Sequence, residues 1–195
     1  MELPGAGHRG LARRRSTRYW EKVFEGWHEF YLMAGGAAAV LIGLIFVVIS
    51  LMQDRPRSQV LAGTRLYMGP IVLGVSFVLA LSAAALTPGI TLHQFASVTA
   101  VVAVWGLARA VYSTVGIGRL KEVHWTDVWF YGVFPVAIYL AIGVVAAALW
   151  AGCWWAQKAL AAMITLALLL AIRNEWDLIT WIAPRHEGKD DSDFA

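Results

Sequence analysis

The chain has 195 residues, 59% of them hydrophobic and 15% charged, with a formal net charge of +3 and 10 tryptophans. A soluble globular domain carries about a quarter of its residues as charged side chains, so this balance excludes an ordinary water-soluble fold and makes lipid the expected solvent. The period-2 alternation of a membrane β-barrel is missing as well, which leaves an all-α, polytopic membrane helix bundle.

Residues 1–18 hold Arg9, Arg13, Arg14, Arg15 and Arg18 among Gly, Ser and Thr. Too polar to build a core, they are expected to form a flexible basic arm drawn to anionic lipid headgroups. Nucleic acid is not an expected partner, because no folded reader domain accompanies the arm. Next, Trp20, Val23, Phe24, Trp27 and Tyr31 recur at helical spacing while Glu21, Lys22, Glu25 and Glu29 take the other face. This predicts an N-terminal amphipathic interfacial helix over 19–29, with Trp20, Phe24, Trp27 and Tyr31 as aromatic anchors. Polar residues precede the first apolar run for too long to make a cleavable signal, so the chain is expected to stay in its membrane uncut.

Residues 30–182 are expected to form a five-helix transmembrane domain. A crossing helix needs about 20 apolar residues, and the run from Phe30 to Met52 contains no Asp, Glu, Lys, Arg or His. A second apolar run is long enough for two crossings and is broken at Thr87, Pro88 and Gly89, the punctuation of a tight turn. From Val128 to Ile172 the only charge is Lys158, and "WAGCWW" at 150–155 supplies another reversal. The spans are placed at 30–52, 67–87, 91–116, 128–149 and 153–173, followed by a polar tail over 183–195. Five crossings put the chain ends on opposite sides, and the lysines and arginines other than Arg109 divide almost evenly between the two faces. Orientation therefore stays open under the positive-inside rule.

Within the spans, Gly35, Ala39 and Gly43 recur every four residues and make a smooth helix-packing stripe where another backbone can lie close. Pro70 and the pair Gly132 and Pro135 mark places where a helix bends. Arg109 stands well inside the third crossing, and a cation in lipid needs a partner. The third and fifth crossings end on the same face, so Glu175 and Asp177 are its expected partners, with Arg173 spaced to pair with Asp177 along its own helix. Arg109, Arg173, Glu175 and Asp177 are thus read as one polar cluster, a clamp between helices or a gate at the bundle mouth. Trp176 and Trp181 anchor this end at the interface.

His28 and His93 fall at one interface and are the weak candidates for a shared metal or haem; interfacial histidines without a ligand are the commoner case, and no cofactor is expected. The single cysteine, Cys153, allows neither an intramolecular disulfide nor a multi-cysteine zinc site. "HEFYL" at 28–32 has Leu32 where a zincin needs its second histidine. "GVSFV" at 74–78 lacks the last glycine of a nucleophile elbow, and "GIGRL" at 116–120 has too few glycines to cradle phosphate. No enzyme is expected.

The stretches "WHEFYLMAGGAAAVLIGLIFVVISL" and "IRNEWDLITW" resemble a group of uncharacterised bacterial polytopic integral membrane proteins. That group carries Phe-Tyr before a Gly/Ala-rich first helix, a Gly-Leu-x-Phe-Val stretch and a closing Arg-Asn-x-Trp-Asp-Leu. The resemblance covers under a fifth of the chain and implies a multi-helix protein of the bacterial inner (cytoplasmic) membrane, with no activity attached. The resulting expectation is a non-enzymatic integral membrane protein whose partners are the bilayer and either copies of itself or other membrane subunits. The alternative is a small ion or solute channel or transporter with a pore between protomers.

Overall fold

The computed structural model describes residues 26–51, 69–118 and 129–182. Five helices follow one another: α1 (His28–Leu51), α2 (Gly69–Leu86), α3 (Leu92–Gly118), α4 (Phe134–Trp150) and α5 (Ala156–Ile182). A π-helical turn, Trp129–Val133, runs directly into α4. The described residues are helix and turn throughout, and five helical stretches are long and apolar enough to cross a membrane. The basic arm, most of the interfacial helix with Trp20 and Phe24, and the polar tail lie outside the described residues.

Both expected reversals are present, and each has a local cause. After α2, the Thr87 amide donates to the Ala84 carbonyl at 3.1 Å and the Ile90 amide to the Thr87 carbonyl at 3.2 Å. Gly89 supplies the left-handed φ of 73°, which a side chain would resist. "TLHQ" then starts α3 as a capping box: the Gln94 amide donates to Thr91 Oγ1 at 3.2 Å and the Thr91 amide to Gln94 Oε1 at 2.9 Å. At the end of α4 the Cys153 amide donates to the Ala148 carbonyl and the Gly152 amide to the Leu149 carbonyl. With Gly152 at φ 72°, this is a Schellman ending that satisfies two carbonyls the helix leaves open. The one sizeable difference from the expected spans is α5, which continues beyond residue 173 to Ile182. The charges of "RNEWD" mark where the helix leaves the apolar layer, while its backbone carries on.

Helix α1 lies on α2 and α5; α2 also packs on α3 and α5, and α4 packs on α3 and α5. This puts α2 and α5 at the centre. The inward seam of α1 is Tyr31, Ala34, Ala38, Ile45 and Val48, all buried, with half-buried Leu41 between them. Positions 31, 38 and 45, and 34, 41 and 48, repeat every seven residues, the period that keeps one side facing a neighbour. Residues spaced by four advance about 40° further round the helix at each step. Gly35 therefore faces α2, where an added Cβ would stand 3.1 Å from Ser82 Cβ, whereas Gly43 has open space around it and Ala39 is exposed.

One aromatic wedge organises the centre. The Tyr139 ring from α4 occupies the space above Gly106 of α3 that any Cβ there would need, and its hydroxyl reaches the Gly74 position of α2. Phe77 meets the same ring edge-on with centroids 5.9 Å apart. Exposed tryptophans mark both ends of the bundle: Trp129 and Trp176 at one, Trp150 and Trp155 at the other. Trp129 to Trp150, and Trp155 to Trp176, each span about 30 Å of helix, the thickness of a hydrocarbon core. Gly106→Ala is expected to lower stability by about 1–3 kcal/mol through overpacking. Thermal unfolding in mild detergent measures this, and adding Tyr139→Leu to the variant should restore part of the loss.

Candidate functional site

The polar end of α5 meets the π-helical turn. Pro135 has no amide hydrogen for the carbonyl four residues back, that of Tyr131, and its ring crowds that carbonyl. The backbone widens over Trp129–Val133 and resumes as α-helix at Phe134. A wide turn of this kind rotates the preceding side chains relative to the helix that follows. Gly132 lets the turn sit tightly on α3, since a Cβ there would lie 3.0 Å from Thr114 Oγ1.

Turned inward, Tyr131 is 2% exposed. Its hydroxyl lies 3.2 Å from Asp177 Oδ2 and 3.3 Å from the Asn174 carbonyl oxygen. A phenol has one proton, so the two acceptors share it. Beside this pair the Arg173 guanidinium carbon stands 3.5 Å from the centroid of the Phe130 ring, and Nη1 donates to Asn174 Oδ1 at 3.3 Å. The turn before α4 and the end of α5 are thus joined by a hydrogen bond and by a cation–π stack, an interaction worth about 2 kcal/mol when desolvated. Glu175 is 4% exposed, and neither carboxyl oxygen has a hydrogen-bond partner among the described residues.

Arg109 departs from the expected arrangement. It is exposed on the outer side of α3, with its guanidinium carbon 5.6 Å from the Tyr112 ring centroid, and among the described residues it forms no ion pair with Glu175 or Asp177. The reason is topological: α3 and α5 have little direct contact because the π-helical turn and α4 pack against both. Arg173 and Asp177 do not pair with each other either, since Phe130 and Asn174 take the first and Tyr131 the second. Arg109 and Asn174 nevertheless border one part-open cavity of about 50 Å³, together with Gly74, Gly106, Tyr131 and Tyr139. That volume holds a few water molecules at most.

The other expected site residues are distributed as follows. Tyr31 does not act as an interfacial anchor: it is 1% exposed and packs edge-on against Phe30 and Phe95. Trp27 is half-buried and meets Phe30, whereas Trp176 is exposed. Trp181 lies in α5, with its side chain outside the described residues. His28 and His93 are both exposed, and His93 stacks edge-on with Trp150 at 5.1 Å. Among the described residues no three His, Cys, Asp or Glu side chains gather as a metal site would require. Sequence reasoning passed over Tyr131 and Tyr139; Pro135 and the glycines at 106 and 132 were the available signals for both.

Comparison of the chain with protein-family models, with curated proteins and with solved structures finds no match. Double-mutant cycles in detergent test the geometry. Tyr131→Phe with Asp177→Asn should show a coupling of about 0.6 kcal/mol or more, the usual size for an interhelical hydrogen bond in membrane proteins. Arg109→Leu with Asp177→Asn should be additive within about 0.5 kcal/mol.

Proposed function

We propose that this chain is a non-enzymatic integral membrane protein, threaded five times through a bilayer, that serves as a self-associating or accessory subunit of a membrane complex. The carrying observation is the contrast between inside and outside. The described interior leaves a cavity of about 50 Å³, and at one end Tyr131, Arg173 and Asp177 are engaged in tying the turn before α4 to α5. The outer surface, by contrast, keeps bare faces. On α1, Gly36 and Gly43 have open space where a Cβ would stand and Ala39 between them is exposed. Lipid tails give helices no hydrophobic drive to associate, so close backbone approach at small residues is a principal source of affinity. The bacterial inner membrane is the proposed location, on the resemblance noted above.

Glu175 favours a second reading, a small transporter or channel. A buried carboxyl without a hydrogen-bond partner is costly inside a membrane protein and commonly marks an ion pathway. Flux through liposomes separates the two readings. The subunit reading expects no selective conductance, with Glu175→Gln indistinguishable from wild type; a conductance abolished by Glu175→Gln would replace it with the transport reading. Self-association is tested separately: Gly43→Leu should shift the protein to a smaller species by light scattering in mild detergent. It should leave the thermal midpoint almost unchanged, because nothing among the described residues lies near that position.

A further inference from the structure

We infer that the outer face of α3 holds one anionic phospholipid, its phosphate on Arg109 and an acyl chain along the helix below. The inference rests on the reading that the helices cross a bilayer. Arg109 is exposed and forms no ion pair among the described residues. The nearest aromatic partner recorded for it is Tyr112, one turn further along and itself 70% exposed. Gly132 of the π-helical turn packs on Thr114, which places this part of α3 toward the end of the bundle marked by Trp129 and Trp176. A guanidinium on a flexible stem reaches from that depth toward the headgroup layer, where Tyr is at home with its ring in the apolar region and its hydroxyl outside it.

Below the cation the surface has the shape of a chain rather than of a headgroup. Ala100, Val101, Val104, Trp105 and Ala108 form an apolar groove that Arg109 closes. Val101, Val104 and Trp105 are 60–70% exposed, so nothing in the described chain fills it. From Ala100 to Arg109 the groove runs about 14 Å, close to half of a hydrocarbon core about 30 Å thick. That length matches one leaflet. Arg109 stands five residues, about 7.5 Å, deeper than Thr114, so its guanidinium meets that leaflet's phosphate by extending along α3 past Tyr112. Arginine binds phosphate through paired N–H donors, which makes it the stronger choice for an anionic headgroup. A second copy in the same orientation offers no match: within the described spans Glu29 lies at the other end of the bundle, Glu175 is buried and Asp177 is held by Tyr131.

Native mass spectrometry of the full chain in a mild non-ionic detergent, with equimolar phosphatidylglycerol and phosphatidylcholine, tests the site. Wild type should retain phosphatidylglycerol about tenfold over phosphatidylcholine, a difference of about 1.4 kcal/mol. Arg109→Leu should abolish the preference even though the arginine-rich arm is intact, and Arg109→Lys should keep part of it. Ala108→Phe faces outward, leaves the charge and crowds the groove; it should reduce retained lipid of both kinds. Millimolar inorganic phosphate should not compete. Equal retention of the two lipids by wild type, preference surviving in Arg109→Leu, unchanged retention in Ala108→Phe, or displacement by phosphate alone would each overturn the site. So would a co-purifying protein lost only with Arg109→Leu, which would assign the cation to a protein carboxylate. Failure of the bilayer reading itself would look different: a chain soluble without detergent that retains no lipid at all.

Discussion

A single phenolic proton closes one end of this bundle. Tyr131 carries it between the side chain of Asp177 and the backbone of Asn174, and it is available there because Pro135 forbids an ordinary helical turn ahead of α4. A polar group buried against hydrocarbon finds no water in place of a missing partner, and where α5 leaves the apolar layer Tyr131 meets Asp177 from within the protein. Arg173 on Phe130 completes the closure from the outer side. With the α2–α3 and α4–α5 connections already made by tight turns at Gly89 and Gly152, this contact fixes how the last helix returns against the bundle.

The opposite end is organised differently. The Tyr31 hydroxyl, Ser82 Oγ and both polar atoms of the Gln157 amide are buried without hydrogen-bond partners among the described residues. Each such group costs about 1–3 kcal/mol. Aromatic packing offsets part of this for Tyr31, whose ring lies edge-on to Phe30 and Phe95. The close approach of α1 at Gly35 brings Ser82 into a dry contact with it. At the first end Tyr131 meets Asp177 while Glu175 stays buried without a partner among the described residues; at the other, apolar and aromatic contact predominates.

Much of the fold was legible in the residues. Apolar runs, Thr-Pro-Gly and a glycine after tryptophan marked the five helices and two of their reversals, because these depend on local chemistry alone. Two features were not legible for a common reason, which is that they depend on which helices become neighbours. Arg109 was matched with Glu175 and Asp177 from membrane side alone, and α4 with its wide turn takes the place that pairing needs. Tyr31 fell on the aromatic side of the amphipathic pattern, but Phe95 from a distant helix draws it into the core. Small residues at every fourth position promised a straight stripe; the helical advance turns the lower part of it outward.

The wide turn before α4 also sets a phase. An α-helix spends 3.6 residues on each revolution, and the π-helical stretch from Trp129 to Val133 spends more, so everything upstream is wound back relative to Tyr139 and the rest of α4. The tolerance for length change is therefore uneven along the chain. Insertions at the Gly152 reversal lengthen a connection, whereas loss of one residue from the wide turn would swing Tyr131 roughly a quarter-turn away from α5 and leave the helix itself unbroken.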